Sequence, residues 1–236
     1  MKQDIANRLS ELLKAGDYTV YDTGPIPGAG DTRLTFDSTS VRFDAVTLYI
    51  DMRGSTAVLN AHQAHNVAKI HKAYLFTATK LVAEGGGQIR SYNGDSILAF
   101  FPGKGKAAVT PAIKASMQIK HILTEVCAQD FARYKPVDFG IGIDAGSILC
   151  AKAGMGRNDN HNDLIWLGNA VNRATVLSDK GRAPNHIWIS DEVRNLLENN
   201  VQYGGSPPRD MWSADWIDYN GTRERAWCTQ FRWSVE

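Results

Sequence analysis

Residues 88–101 read QIRSYNGDSILAFF. Two runs with strand character, 88–92 and 96–101, flank Asn93-Gly94, a pair that tolerates the positive φ of a tight hairpin turn. The segment predicts two antiparallel strands with Asp95 at the tip. A hairpin in mid-chain argues against an all-parallel sheet. Before it, Gly85-Gly86-Gly87 ends a long helix predicted over 59–83. Further upstream, residues 44–51 (DAVTLYID) form an apolar run that predicts a buried strand. Downstream, a second helix is expected over 106–127. Residues 137–143 (VDFGIGI) put Val137, Phe139, Ile141 and Ile143 on one face of a strand. Gly146 reads as a turn before another strand, 147–152, and GRNDNHND (156–163) as a polar loop. A helix over 169–178 follows, then a short helix capped by Ser190. A second Asn-Gly turn, at 220–221, lies in the Trp-rich tail. Residues 3–15, with Ile5, Leu9, Leu12 and Leu13 at helical spacing, predict an amphipathic docking or dimer helix. The order β-α-β-β-α-β-β-α-α-β-β points to an α+β, ferredoxin-like fold with a mostly antiparallel central sheet and flanking helices. The chain divides into an N-terminal helix and loop (1–43), a central block (44–200) and C-terminal strands completing the sheet (201–236).

Composition narrows the function. The 236 residues carry 26 Lys plus Arg against 25 Asp plus Glu, a net charge of +1. No basic stripe suited to nucleic acid is visible. Cys127, Cys150 and Cys228 are widely spaced and include no CxxC pair, so free thiols in a reducing compartment are expected. No apolar run is long enough for a signal peptide or a membrane span. These features predict a cytoplasmic protein without membrane or nucleic-acid partners. His62 and His65 lack the intervening Glu of an HExxH helix and read as surface histidines.

Two stretches carry chemistry. In YIDMRGST (49–56), Asp51 ends an apolar strand and small residues lead into a helix. Such a turn presents free backbone N–H groups to phosphate oxygens, and a neighbouring carboxylate can hold Mg²⁺ against them. In NGD (93–95), Asp95 sits at a hairpin tip. Each Asp has an ordinary reading, as a cap or a solvated turn residue. If their strands are neighbours, Asp51 and Asp95 converge on one hard-cation site. Tyr49 lies two residues before Asp51 and shares its face of the strand.

With those stretches in place, the chain resembles the class III nucleotide cyclases. VTLYIDMRGST is similar to their first metal motif and GGQIRSYNGDSILAFF to their Gly-Asp hairpin. FGIGIDAGSILCAKAG is similar to their Gly-Ile-Gly-Ile strand, and WLGNAVNRA to their Asn-bearing helix start. The resemblance spans about residues 44–200 and implies a cyclase catalytic domain in a head-to-tail homodimer. It implies that Asp51 and Asp95 hold two divalent ions, Mg²⁺ or Mn²⁺, with the Met52 carbonyl as a further ligand. It implies that Gly54, Ser55 and Thr56, with Arg53 beside them, meet the triphosphate. Asn172 would orient the ribose from the partner subunit.

Three positions depart from the purine-cyclase pattern. Ser91 and Ile165 stand where purine readers are expected, and Val176 where an Arg stabilises phosphate charge. Arg173, Lys152, Arg53, Arg90 and Arg157 are the candidate substitutes, with Arg173 and Lys152 favoured. With Tyr49 filling space beside the nucleotide, the combination resembles the Pycsar pyrimidine cyclases of bacterial anti-phage defence. That likeness implies cyclisation of UTP, or less readily CTP, and a separate effector that senses the cyclic product. A purine cyclase with unusual readers and a non-catalytic nucleotide-binding or dimerisation module are the alternatives.

Overall fold

A computed structural model describes residues 1–16, 18–134, 137–156 and 159–235. In chain order the elements are α1 (Lys2–Leu12), β1 (Thr19–Asp22), β2 (Thr39–Arg53), α2 (Ser55–Ala61), α3 (Ala64–Glu84), β3 (Gln88–Asn93) and β4 (Ser96–Pro102). They continue with α4 (Lys106–His121), a π-helical turn (Ile122–Val126), α5 (Ala128–Ala132), β5 (Asp138–Gly154), β6 (Asn162–Leu167), α6 (Asn169–Lys180) and β7 (Ile187–Ser190). The chain closes with α7 (Asp191–Asn195), α8 (Asn199–Gln202), β8 (Tyr203–Gly204), β9 (Arg209–Asp210), β10 (Ser213–Tyr219) and β11 (Thr222–Thr229). The main sheet runs β10-β11-β7-β5-β2-β4-β3, with β1 and β6 pairing onto β2 and β5. Among the described residues only β1–β2 and β5–β7 are parallel pairs, so the α+β, mostly antiparallel architecture holds.

Several expected boundaries shift for visible reasons. Gly146 is not a turn: it pairs with Ala45 inside the β2–β5 ladder, and a Cβ there would sit 3.2 Å from the Ala170 methyl. The two predicted strands are therefore one, β5. The helix predicted over 59–83 starts earlier and breaks at His62 and Gln63, both extended. There the His62 ring packs edge-on against Tyr134 and its Nε2 meets the Tyr134 carbonyl. The end of the polar loop is strand, as part of β6, and β1 and β7 were not expected at all. The first Asn-Gly hairpin closes on Gly94-Asp95 rather than Asn93-Gly94. Asn93 pairs with Ser96, and Gly94 alone has positive φ (62°), as the first position of a type II′ turn requires. The second hairpin follows its sequence, with φ of 50° at Asn220 and 75° at Gly221. Ser190 caps α7 by accepting from the Val193 N–H.

Strand alternation splits the apolar residues between two faces. Leu48, Ile50 and Met52 of β2 join Phe139, Ile141 and Ile143 of β5 under α3 and α4, forming the larger core. Val41, Phe43 and Ala45 face the other way and pack with Leu98, Phe100, Ile148 and Cys150. Ile26 and Leu34 of the N-terminal loop roof this smaller cluster. On that second face α6 crosses β5 at main-chain distance. A Cβ on Gly142 would lie 1.9 Å from the Ala174 carbonyl oxygen, and one on Gly140 2.0 Å from that of Ser178. The Gly-Ile-Gly-Ile pattern follows: isoleucines fill the larger core while glycines admit the helix backbone.

Outside the sheet, α1 has no buried residue, and Arg8 tethers it by donating to the Phe36 carbonyl (2.6 Å). Replacing Gly142 by Ala forces α6 off β5 and is expected to destabilise the protein by about 1–3 kcal/mol, the usual cost of overpacking. Urea unfolding checks this against Gly28→Ala, where a Cβ meets nothing within 4 Å.

Candidate active site

The alternation that sends Ile50 and Met52 into the larger core sends Tyr49 and Asp51 to the opposite face. Met52 therefore offers only its main chain to a site, because its side chain is buried. Asp95 enters from the hairpin tip between β3 and β4, and β4 lies beside β2 with Tyr49 opposite Leu98. A short chain of hydrogen bonds locks that tip. The Tyr49 hydroxyl donates to Ser96 Oγ (2.9 Å), and Ser96 Oγ donates to the Asn93 carbonyl (2.9 Å). Tyr49 thus places Asp95 relative to Asp51, besides packing its ring on the smaller cluster.

The two carboxylates feel each other. Burial pushes the Asp51 carboxyl above the usual carboxylate range, and the Asp95 charge pushes it further. Arg53 opposes this through an ion pair with Asp51 Oδ2 (2.7 Å), but burial and the second carboxylate prevail. Asp95 Oδ2 is sealed from water and has no hydrogen-bond partner. A sealed, unsatisfied carboxylate oxygen beside a second repelled carboxylate fits a bound cation. Among the described residues no group of three or more His, Cys, Asp or Glu side chains gathers to hold a metal. A cation here would rest on two carboxylates and draw further ligands from main chain, water and phosphate, the habit of Mg²⁺.

Gly54 turns the chain after Asp51 with φ of 71°, and α2 begins at Ser55 with no side-chain cap. The Ser55 and Thr56 amides therefore open that helix. Arg53, expected among the substrate contacts, is committed internally. Besides Asp51 it approaches Asp179 (3.5 Å), donates to the Gly181 carbonyl (3.2 Å) and bonds the Ser178 carbonyl. It braces the strand that carries Asp51 against the end of α6.

Arg173, the favoured substitute, is engaged within the protomer. Its guanidinium pairs with buried Asp144 (2.8 Å) and with Glu224 (2.9 Å), over the Tyr219 ring. Those two acids satisfy its charge within the protomer. Val176 itself packs against the apolar cluster of Leu177, Trp188 and Ile217. Arg157 lies outside the described residues.

Ser91 brings a finding that spacing could not reveal. The β3–β4 register slips between Ile89 and Ser91, so Arg90 is an extra residue in a bulge. Gln88 and Ser91 pair with Phe100 and Leu98 of the smaller cluster, and Arg90 bonds the Gln88 side chain. Arg90 therefore shares Ser91's face. Arg90 and Lys152 line one cavity of about 600 Å³ with Gly28, Gly30, Leu164 and Trp166. Neither forms an ion pair among the described residues, although Asp163 also lines the cavity. Ile165 and Leu167 point outward from β6, 41% and 50% exposed, while Leu164 and Trp166 pack inward. Asn172 is exposed in the first turn of α6. Within one protomer no hydrogen bond joins Ser91, Ile165 or Asn172 to either carboxylate.

Comparison with known proteins gives the family and the fold. Residues 39–210 match the family described as adenylate and guanylate cyclase catalytic domain. The chain is 30% identical over 212 residues to a uridylate cyclase of Xanthomonas perforans, covering 87% of each chain. It is 29% identical over 224 residues to a uridylate cyclase of Burkholderia cepacia, covering 93% of each. In structure it resembles the adenylyl cyclase CyaB from P. aeruginosa, with a TM-score of 0.66 and 21% identity. That match covers 80% of this chain and 95% of the other. No helix is long and apolar enough to cross a membrane among the described residues.

The repulsion between the carboxylates has a measurable consequence. Asp95→Asn removes one of the two charges and leaves the Asp51–Arg53 pair in place. Without metal the variant is expected to melt no lower than the parent, by about a degree or more in its favour, while Mn²⁺ stabilises only the parent. Thermal melts with and without Mn²⁺ check both arms.

Proposed function

We propose that this chain, which belongs to the adenylate and guanylate cyclase catalytic domain family, cyclises a pyrimidine nucleoside triphosphate, UTP in preference to CTP. The reading rests on one observation, the coupled pair of Asp51 and Asp95. It stands in a chain about 30% identical, over most of its length, to proteins named uridylate cyclase. In the reaction the ribose 3′-oxygen attacks the α-phosphorus of the same molecule. The bond from that phosphorus to the bridging oxygen breaks, pyrophosphate leaves, and the 3′-hydroxyl proton is lost. Two divalent ions at Asp51 and Asp95, Mg²⁺ or Mn²⁺, would supply charge neutralisation and acidify the attacking hydroxyl.

The protein's own part is positioning. Asp51 and Asp95, with the Met52 carbonyl, hold the ions. The turn at Gly54, Ser55 and Thr56 faces the phosphates with backbone amides. Tyr49 fixes the hairpin tip and narrows the space beside the base. No hydrogen bond joins Ser91, Ile165 or Asn172 to these groups among the described residues of one protomer, which leaves their roles to a head-to-tail homodimer. In it the partner brings base contacts and the ribose-orienting amide to each metal pair. Arg90 and Lys152, which form no ion pair among the described residues, are the described candidates left to meet phosphate or base, Arg53 and Arg173 being paired with acids. The cyclic product would act as a second messenger, read by a separate cyclic-nucleotide-binding effector in anti-phage defence.

Purified protein with Mn²⁺ is expected to consume UTP first among the four ribonucleoside triphosphates, releasing pyrophosphate and cyclic UMP. Asp51→Ala removes several kcal/mol of transition-state stabilisation, lowering the rate about a thousandfold or more. Chromatography of the four incubations decides the matter. Consumption of ATP or GTP first would give a purine cyclase, and tight nucleotide binding without pyrophosphate would give a binding module.

A further inference from the structure

The β10–β11 hairpin at the edge of the sheet lies beyond residues 39–210, the part matched to the family, and has no role in the scheme above. Its strands pair so that Trp216 lies opposite Arg225, Ala214 opposite Trp227 and Asp218 opposite Arg223. Residues directly opposite share a face, as do residues two apart, so all of these look the same way. The other face carries Ile217, Tyr219, Ala226 and Cys228 and is buried. Along the chain Glu224 interrupts the two arginines, so no basic stripe is visible in the sequence. Strand alternation turns Glu224 to the opposite side, where it pairs with Arg173.

On that face guanidinium groups and indole rings alternate in one continuous row. Arg223 lies over the Trp216 ring at 5.1 Å, and Arg225 over Trp216 at 6.0 Å and over Trp227 at 5.9 Å. Arg194 of α7 ends the row over Trp227 at 4.7 Å. This inner end is fixed and its charge is met. Arg194 pairs with Asp210, and Trp227 Nε1 donates to Asp191 (2.8 Å). The outer end is open. Trp216 is 44% exposed, and Arg223 and Arg225 are exposed beside it. Neither arginine forms an ion pair among the described residues, although Asp218 stands opposite Arg223. An exposed indole held between two uncompensated guanidinium groups differs from ordinary surface, where single apolar side chains sit among charges of both signs.

We propose that this face of the β10–β11 hairpin binds single-stranded nucleic acid. A guanidinium meets phosphate with paired N–H donors, and indole and guanidinium planes both accept a stacked base of any identity. Same-face residues repeat every ~6.8 Å along a strand, so cation and ring are offered in turn to an extended chain. A duplex keeps its bases stacked on one another and would meet only the charges. An acidic peptide would likewise use the arginines and leave the rings idle. The local row supplies what the net charge of +1 does not, a cationic surface with aromatic faces in it. The proposal is independent of the two-carboxylate reading.

The test is fluorescence anisotropy of labelled oligo(U) and oligo(dT), about twelve nucleotides long, with full-length protein and no divalent metal. Both strands are expected to bind, and an unlabelled duplex of equal length to compete poorly. Two phosphate contacts on a single strand set the expected slope of log affinity against log salt at about −1.4. Arg225→Gln removes one contact and is expected to bring the slope to about −0.7. Trp216→Ala is expected to weaken binding about tenfold or more with the slope unchanged, and Trp216→Phe to recover most of the loss. Thermal melts accompany each variant, and Arg225→Gln carries the test alone if Trp216→Ala does not fold. Binding of only one of the two strands keeps the proposal and names the sugar that is read. The proposal is overturned if neither strand binds at low salt, or if the folded variants bind as the parent does. Competition by duplex or by polyglutamate as strong as by the unlabelled single strand overturns it too, in favour of a purely charged surface or an acidic protein partner. A parent dimer that Trp216→Ala dissociates, with oligonucleotide affinity unchanged, overturns it in favour of a second copy of the chain.

Discussion

Main chain lies on main chain where α6 crosses β5. Helices ordinarily pack on sheets through side chains, at about 10 Å. Here Gly140 and Gly142 leave no side chain between, and Gly181 meets Gly140 at the helix end. The contact gives up side-chain burial and accepts the extra entropy that glycine loses on folding, about 0.5–1 kcal/mol each. In return it brings the last turn of α6 within reach of Arg53, which holds the Ser178 and Gly181 carbonyls and Asp51 with one guanidinium. The same glycine pair therefore sets the pose of Asn172 at one end of the helix and helps hold Asp51 at the other.

The electrostatics of the site work against the fold in the absence of a cation. Two carboxylates are held in mutual repulsion, one oxygen is sealed and unpaired, and burial raises the Asp51 carboxyl despite its arginine. Asp144 is fully buried as well: burial raises its carboxyl, Arg173 pairs with one oxygen, and the other has no hydrogen-bond partner. Lys120 is buried too, and burial lowers its ammonium to about 8. Even so, it donates to the Pro184 and Gln230 carbonyls at 2.7 and 2.8 Å and ties α4 to the tail.

Period and turn chemistry made much of this legible in the sequence. The alternation in DAVTLYID and VDFGIGI, the Gly85–Gly87 helix stop and both Asn-Gly hairpins depend on local preferences. What was lost depended on tertiary context. Gly146 looks like a turn because a glycine made for helix contact and one made for chain reversal are the same letter. The strand β6 hid in a polar stretch because one of its faces is outward and the other packs through only Leu164 and Trp166. Arg173 read as free because its acids, Asp144 and Glu224, come from distant segments. Arg53 read as a substrate contact for a similar reason, its partners lying near residue 180.

The bulge in β3 bears on how specificity is inferred across this family. Counting back from the Gly-Asp tip assigns each chain one letter at the base-reading column, and here that letter is Ser91. The bulge lets two consecutive residues look the same way, so the place in space is shared by a hydroxyl and a guanidinium. A one-column comparison scores this chain as having lost a reader. In this fold a longer, permanently charged donor lies one step along the strand, bonded to Gln88 and with an orphaned Nε of its own. Relatives that differ by a single insertion or deletion in this hairpin would exchange that donor for another without changing any aligned motif. Substrate preference in such a lineage can therefore drift through strand register as readily as through substitution.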